Sequence, residues 1–73
     1  RGNVAGADGL DAIRQLIDDA GRALIPGGWL FLEHAPEQTA SIHNLLKIKG
    51  FIDKHSALDL ASRERASWAR WPD

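Results

Sequence analysis

The sequence predicts an α/β fold whose elements follow the order helix, strand, helix, strand, strand. Three observations predict it. Apolar residues recur at helical spacing ahead of a Pro-Gly-Gly turn, an uninterrupted apolar run follows at 29–32, and two strand-like segments close the chain. With 73 residues, the chain is long enough for at most one small domain with a thin core.

The first helix is predicted over residues 9–24, after a loop at 1–7 that lacks any apolar period. Asp8 is expected to be its N-cap, because a carboxylate there accepts hydrogen bonds from the free amides of the first turn. Asp18 and Arg22 are spaced for an ion pair across one helical turn. The predicted apolar stripe consists of Leu10, Ile13, Leu16, Ile17, Ala20 and Leu24.

The apolar run 29–32 does not alternate with polar residues, which predicts a strand buried on both faces. Pro36 suits the start of a second helix, and Gly50 suits the left-handed residue just past its end. Phe51 is expected to fold back onto the last turn. The predicted inner face of this helix consists of Ile42, Leu45, Leu46 and the aliphatic stem of Lys49, with Ile48 alongside.

The last two strands are predicted over residues 52–60 and 65–71, separated by the polar turn Ser62-Arg63-Glu64. They lie close enough in sequence to form an antiparallel hairpin. The connection through the second helix is long enough for a parallel crossover. Together these connections predict a small three-stranded mixed sheet with two helices, which is half of an α/β layer structure.

Composition excludes several classes of protein. The net charge of −1 argues against a general attraction to nucleic acid. The chain has no cysteine, no apolar run of membrane-spanning length and no signal peptide, so we expect a cytoplasmic location and no membrane partner. It begins at Arg1 and contains no methionine, which is typical of a fragment.

Three segments carry short motifs in a fixed order: "DGLDAIRQLIDDAGRALIPGGWLFLEHAPEQ", then "LLKIKGF", then "LDLASRERASWARW". Over residues 6–71 this order resembles the carboxyl-terminal end of the HemK-type protein-(glutamine) methyltransferases. That family reads there as a DGLD-like helix start, a PGG turn, an LLLEHG-like strand end, an AGF turn and a closing DLAG-like strand. The chain departs from the family pattern at Ala35-Pro36, where the family has glycine and an aromatic residue.

The resemblance implies a Rossmann-like class I methyltransferase sheet whose final hairpin inserts an antiparallel strand. Residues 1–73 would then be one carboxyl-terminal segment of a catalytic domain, with the loop 1–7 followed by the helix-strand-helix-hairpin unit 8–71. The family transfers a methyl group from S-adenosylmethionine to the glutamine side-chain amide of peptide-chain release factors. The full-length enzyme would therefore use that cofactor and have a release factor as its partner.

The family's glycine-rich cofactor loop and its Asn-Pro-Pro-Tyr motif have no counterpart in this sequence. The resemblance therefore implies that the chain alone binds no cofactor and is inactive. The alternative is a free-standing α/β protein-interaction module without catalysis. Because a half-sheet leaves an edge and a face uncovered, we also expect the isolated chain to self-associate or to be only marginally folded.

Glu33 and His34 are the candidate site residues, because ligands of open α/β sheets bind beyond the carboxyl ends of the strands. They would line the protein-substrate side of the site. The alternative is that one side chain satisfies nearby backbone groups while the other faces water. Ligand spacing predicts no metal site, the serines lack a nucleophile-elbow context, and no residue of the chain is predicted to be catalytic or to bind cofactor.

Overall fold

The computed structural model describes residues 9–73, which form two α-helices and a three-stranded sheet. The predicted order of helices and strands is confirmed. The elements are α1 (Asp11–Ala23), β1 (Trp29–Glu33), a 3₁₀ turn (Pro36–Gln38), α2 (Thr39–Lys49), β2 (Ile52–Leu58) and β3 (Glu64–Arg70).

The sheet has the strand order β1-β3-β2, and both neighbouring pairs are antiparallel. The predicted hairpin of β2 and β3 is confirmed, whereas the predicted mixed sheet is wrong. Because β1 and β2 both run antiparallel to β3, they point in the same direction, as a crossover through α2 requires. They do not pair with each other, because the chain returns from β2 and places β3 between them.

Only one face of β1 is buried within residues 9–73, so the predicted burial on both faces is wrong for this part of the chain. Leu32 is 5% exposed, whereas Trp29 and Phe31 are 51% and 60% exposed. Successive side chains of a strand point to opposite faces, and the helices of the described chain cover the face of Leu32. The apolar run 29–32 therefore contributes side chains both to the core and to the uncovered face of the sheet.

The core lies between the helices and the covered face of the sheet. Ile42 and Leu46 of α2 are completely buried, as predicted, whereas Ile48 is 73% exposed. The remaining buried apolar residues are Leu10, Ile17, Ala20, Leu32, Phe51 and Ala69. The helical spacing thus identified the centre of the buried stripe in both helices, but it was wrong for Leu16, which is 48% exposed, and for Ile48.

Helix α1 begins at Asp11, two residues later than predicted; Asp8 and the predicted loop 1–7 lie outside the described residues. The predicted pair of Asp18 with Arg22 does not form. Arg22 instead lies 2.7 Å from Asp19, and Lys49 of α2 lies 3.3 Å from Asp18. Lys49 of the other helix therefore pairs with the carboxylate that the local spacing predicted to pair with Arg22.

Gly50 ends α2 in the left-handed conformation, with φ of +111°, as predicted. Its amide and that of Phe51 donate hydrogen bonds to the carbonyl of Leu46, at 3.1 and 2.9 Å. Phe51 folds back into the core, where it is 2% exposed and meets the ring of Trp71 edge-on at 4.8 Å. A glycine is needed here because a side chain rarely adopts this φ.

The turn between β2 and β3 is organised by Asp59, so β2 ends at Leu58, two residues earlier than predicted. The Asp59 carboxylate accepts hydrogen bonds from the amides of Ala61 and Arg63, at 2.8 and 3.0 Å. The bond from the Arg63 amide is the main cause that lowers the pKa of the Asp59 carboxyl below its usual value. Such side-chain bonds to the backbone compete with strand pairing, which accounts for the early end of β2.

Candidate functional site

The two candidate residues at the carboxyl end of β1 point to opposite faces of the sheet. Glu33 is exposed, and its side chain forms no hydrogen bond or ion pair with the other residues of 9–73. His34 is 8% exposed and faces the helices. The structure therefore does not bring these two side chains together, although they are neighbours in sequence.

The ring of His34 is held at both nitrogens. Nδ1 lies 2.8 Å from the carbonyl oxygen of Ala35, and Nε2 lies 2.7 Å from Oγ of Ser67. Ser67 is completely buried. A polar pair inside a small core costs stability unless its hydrogen bonds are made, and here both partners are within hydrogen-bonding distance.

The contacts of Ser67 extend to two further side chains. Its Oγ lies 2.9 Å from Oγ of Ser56 and 3.2 Å from Nε2 of His43. The same nitrogen of His43 lies 2.7 Å from Oγ of Ser56. We call these four residues, His34, His43, Ser56 and Ser67, the His–Ser cluster.

The fold assembles this cluster from four elements. Strand register places Ser67 of β3 opposite Ser56 of β2 on one side and opposite Leu32 of β1 on the other. His43 comes from α2, which packs over the sheet, and His34 comes from the end of β1. The amide of His34 donates a 3.0 Å hydrogen bond to the carbonyl of Arg65, so the backbone of His34 is also held against β3.

The turn that follows His34 is closed by its own hydrogen bonds. The amide of Ala35 donates to Oε1 of Gln38 at 2.9 Å, and the amide of Gln38 donates to the carbonyl of Ala35 at 3.0 Å. Pro36 occupies the first position of the 3₁₀ turn, ahead of α2. The carbonyl of Ala35 thus lies within reach of two groups, the Gln38 amide and the His34 ring.

The chemistry open to the His–Ser cluster is limited by its burial. A histidine beside a serine is the pair used in nucleophilic catalysis, but Ser67 is completely buried and its oxygen is surrounded by cluster partners. The cluster is therefore structural. Within residues 9–73, no group of three or more His, Asp or Glu side chains is arranged to hold a metal ion.

The face of the sheet opposite the helices carries a row of three rings. Trp68 of β3 stacks on Phe31 of β1 at 5.6 Å and on His55 of β2 at 5.9 Å. Trp71 is not part of this row, because it packs against Phe51 on the other side. Trp68 of β3 and Trp71, which follows the strand, therefore lie on opposite faces of the sheet.

Arginine 70 lies at the far end of the sheet from Glu33. Its side chain lies 3.0 Å from the carboxylate of Asp53 and 3.2 Å from that of Asp73. The hydrogen bond with Asp53 is the main cause that raises the pKa of Arg70 above its usual value. Because two carboxylates neutralise its charge, Arg70 does not make the surface beside the three rings basic.

Sequence reasoning identified His34 but not His43, Ser56 or Ser67. One signal was available for Ser67, because it lies two residues before Ala69 and so shares the core-facing side of β3. A serine at such a position needs a buried partner. No feature of the sequence shows that the partner of Ser67 is a histidine 33 residues earlier.

None of the helices in the described part of the chain is long and apolar enough to cross a membrane.

Comparison with known proteins finds several release factor glutamine methyltransferases among the similar sequences. A release factor glutamine methyltransferase of Pseudomonas aeruginosa is 46% identical over 68 residues, which are 93% of this chain and 25% of that protein. Those of Burkholderia pseudomallei and Xylella fastidiosa are 49% and 42% identical, over 89% and 94% of this chain. No protein-family model matches the chain, and no solved structure matches it significantly.

The matched region is a small part of each relative. The chain spans about a quarter of the length of the curated relatives it matches, and the quarter is the carboxyl-terminal one.

Proposed function

We propose that this chain, residues 1–73, is the carboxyl-terminal part of the catalytic domain of a release factor glutamine methyltransferase, the family to which it belongs. The observation that carries the proposal is 46% identity over 93% of the chain. The identity extends over both helices and all three strands, so it reflects the whole unit and not one motif. We place the parent enzyme in the cytoplasm.

The reaction of the parent enzyme is the transfer of a methyl group from S-adenosylmethionine to a glutamine side-chain amide of a peptide-chain release factor. The cofactor, held by residues outside this chain, would supply the methyl group, and the amide nitrogen would release one proton for the methyl group that it gains. The rate of such a transfer depends mainly on alignment of donor and acceptor. The groups that bind cofactor and hold the amide lie outside this chain.

In this proposal the chain contributes the end of the sheet. Strand β3 is the antiparallel strand of a Rossmann-like sheet, and β1 and β2 belong to its parallel set. Two features support this placement: β1 and β2 point in the same direction, and in residues 9–73 β1 pairs on one side only. The neighbour on the other side of β1 would come from the rest of the parent enzyme.

Glu33 is the residue of this chain that we place at the protein-substrate side of the site. Its carboxylate is exposed at the carboxyl end of β1, where ligands of open α/β sheets bind. It is free to accept a hydrogen bond from the substrate peptide or the proton that the amide releases. His34, which is buried, lies beside this position and supports it.

The isolated chain should not bind S-adenosylmethionine, because the cofactor loop of the family is outside its sequence. Titration calorimetry with the cofactor should show no binding in the micromolar range, and a release-factor peptide should not be methylated. Micromolar binding to these 73 residues would show that the cofactor site lies at least partly within them, which would contradict the proposal.

In the full-length parent enzyme, Glu33→Ala should lower turnover of the release factor by at least about tenfold and leave cofactor affinity unchanged. The measurement is methyl transfer from labelled S-adenosylmethionine, together with cofactor titration. Asp19→Ala is the matched control, because it removes an exposed carboxylate from α1, away from the site. Equal activity of the Glu33→Ala enzyme and the wild type would show that Glu33 has no role at the substrate site.

A further inference from the structure

If each contact of the His–Ser cluster is a hydrogen bond and both histidine rings are neutral, one arrangement of protons satisfies all of the contacts. A backbone carbonyl only accepts, so Nδ1 of His34 carries a proton and donates it to the Ala35 carbonyl. The other ring nitrogen is then an acceptor. The hydroxyl of Ser67 must therefore donate to Nε2 of His34, at 2.7 Å.

The rest of the chain of bonds follows from this first one. Since the single proton of Ser67 is used, the 2.9 Å contact between the two serines requires Ser56 to be the donor. Since the proton of Ser56 is then also used, the 2.7 Å contact with His43 requires Nε2 of His43 to carry a proton and donate it. The bonds therefore run in one direction, from His43 through Ser56 and Ser67 to His34 and the carbonyl of Ala35.

We propose that Ser67 is a positioning residue, which holds the turn after Glu33 in place through the ring of His34. Ser67 supplies the donor that fixes one side of the ring. The other side of the ring then donates to the Ala35 carbonyl, which the Gln38 amide also reaches. The backbone that leaves the carboxyl end of β1 is thus tied to the centre of the sheet, where Ser67 lies in β3 between β1 and β2.

This role explains why His34 and Ser67 are accepted in a core that is otherwise apolar, with His43 and Ser56 half-buried beside them. Burial of such groups is costly unless every one of them is satisfied, and no buried side-chain nitrogen or oxygen in residues 9–73 lacks a partner. Removal of the Ser67 hydroxyl would leave Nε2 of His34 buried without a donor. Removal of the Ser56 hydroxyl would not, because Ser67 would still donate to Nε2 of His34. His43, 3.2 Å from Ser67, would then replace Ser56 as the donor to Ser67.

The proton arrangement is tested in the full-length parent enzyme by nitrogen NMR of the histidine rings near pH 8, where an ordinary histidine is neutral. We expect His34 to carry its proton on Nδ1 and His43 on Nε2. A proton on Nε2 of His34, or an unprotonated Nε2 of His43, would overturn the inference. This measurement needs no variant, so it decides the arrangement even if a substitution prevents folding.

The positioning role is tested by comparing Ser67→Ala with Ser56→Ala, which remove the same hydroxyl group from neighbouring strands. Hydrogen exchange of the Gln38 amide reports the turn, because this amide donates to the Ala35 carbonyl. We expect exchange to be at least about tenfold faster in Ser67→Ala and within about twofold of wild type in Ser56→Ala. Equal exchange in the two variants would show that Ser67 does not hold the turn.

The consequence for catalysis rests on the proposed function. In the full-length parent enzyme, Ser67→Ala should raise KM for the release factor at least about fivefold, with cofactor affinity unchanged, and Ser56→Ala should not. An unchanged KM in Ser67→Ala would show that Ser67 has no effect on binding of the release factor, and this would overturn the proposed consequence for catalysis. A parent without methyltransferase activity would instead refute the proposed function, while the NMR and exchange results would still decide the positioning role.

Discussion

Replacing Ile42 with alanine should leave the isolated chain unfolded under conditions in which the wild-type sequence folds. Ile42 is completely buried in α2 between the helices and the sheet. Truncation of such a side chain costs about 2–5 kcal/mol, because it removes apolar contacts and leaves a cavity. A core of this size rarely supplies more than about 3–5 kcal/mol of net stability, so the loss is of the same order as the whole.

The same helix offers a matched control for Ile42→Ala. Ile48 is also an isoleucine of α2, but it is 73% exposed. Ile48→Ala should change the free energy of unfolding by no more than about 0.5 kcal/mol. Circular dichroism and urea unfolding compare the two. Similar stability of the two variants would show that α2 does not pack as the structure describes.

The isolated chain should self-associate, or fold only marginally, because one face of its sheet and the outer edge of β1 are uncovered in residues 9–73. Phe31 is 60% exposed beside Trp68, and Trp29 is 51% exposed. Covering each large apolar side chain is worth roughly 1.5–3 kcal/mol. The free edge of β1 adds unpaired backbone groups, which attract another strand.

A second copy fits this edge without a clash of charge. If two β1 strands pair antiparallel about Phe31, Leu30 of one copy lies opposite Leu32 of the other, and Glu33 lies opposite Trp29. The two carboxylates are then at opposite ends of the pair. In the parent enzyme this edge would be occupied by the rest of the sheet, so we expect self-association only of the isolated chain.

Sedimentation equilibrium and thermal unfolding at several concentrations measure this association. We expect an average mass above 8.0 kDa that rises with concentration, and a midpoint of unfolding that rises with it. Phe31→Lys should shift the chain toward monomer, whereas Leu16→Lys, at a half-exposed position of α1, should not. A strictly monomeric wild type with a sharp transition at high temperature, independent of concentration, would show that the chain covers its own core.

Local patterns in the sequence determined the type and order of the elements. Helical spacing identified the buried stripe that contains Ile42 and Leu46, and Gly50 marked the end of α2, because these features depend on residues a few positions apart. The order of the motifs was sufficient to identify the family, which the curated relatives confirm. Glu33 and His34 were placed correctly at the carboxyl end of the first strand; their role stays a prediction.

The tertiary structure decided what depends on contacts between distant residues. Strand β3 lies between β1 and β2, a choice that the closeness of β2 and β3 in sequence leaves open. Lys49, from the other helix, takes the carboxylate of Asp18. The His–Ser cluster joins residues up to 33 positions apart, and only strand register and the packing of α2 bring them within 3.2 Å. Short-range periodicity carries no information about such partners, because it records which face a side chain occupies and not what lies across from it.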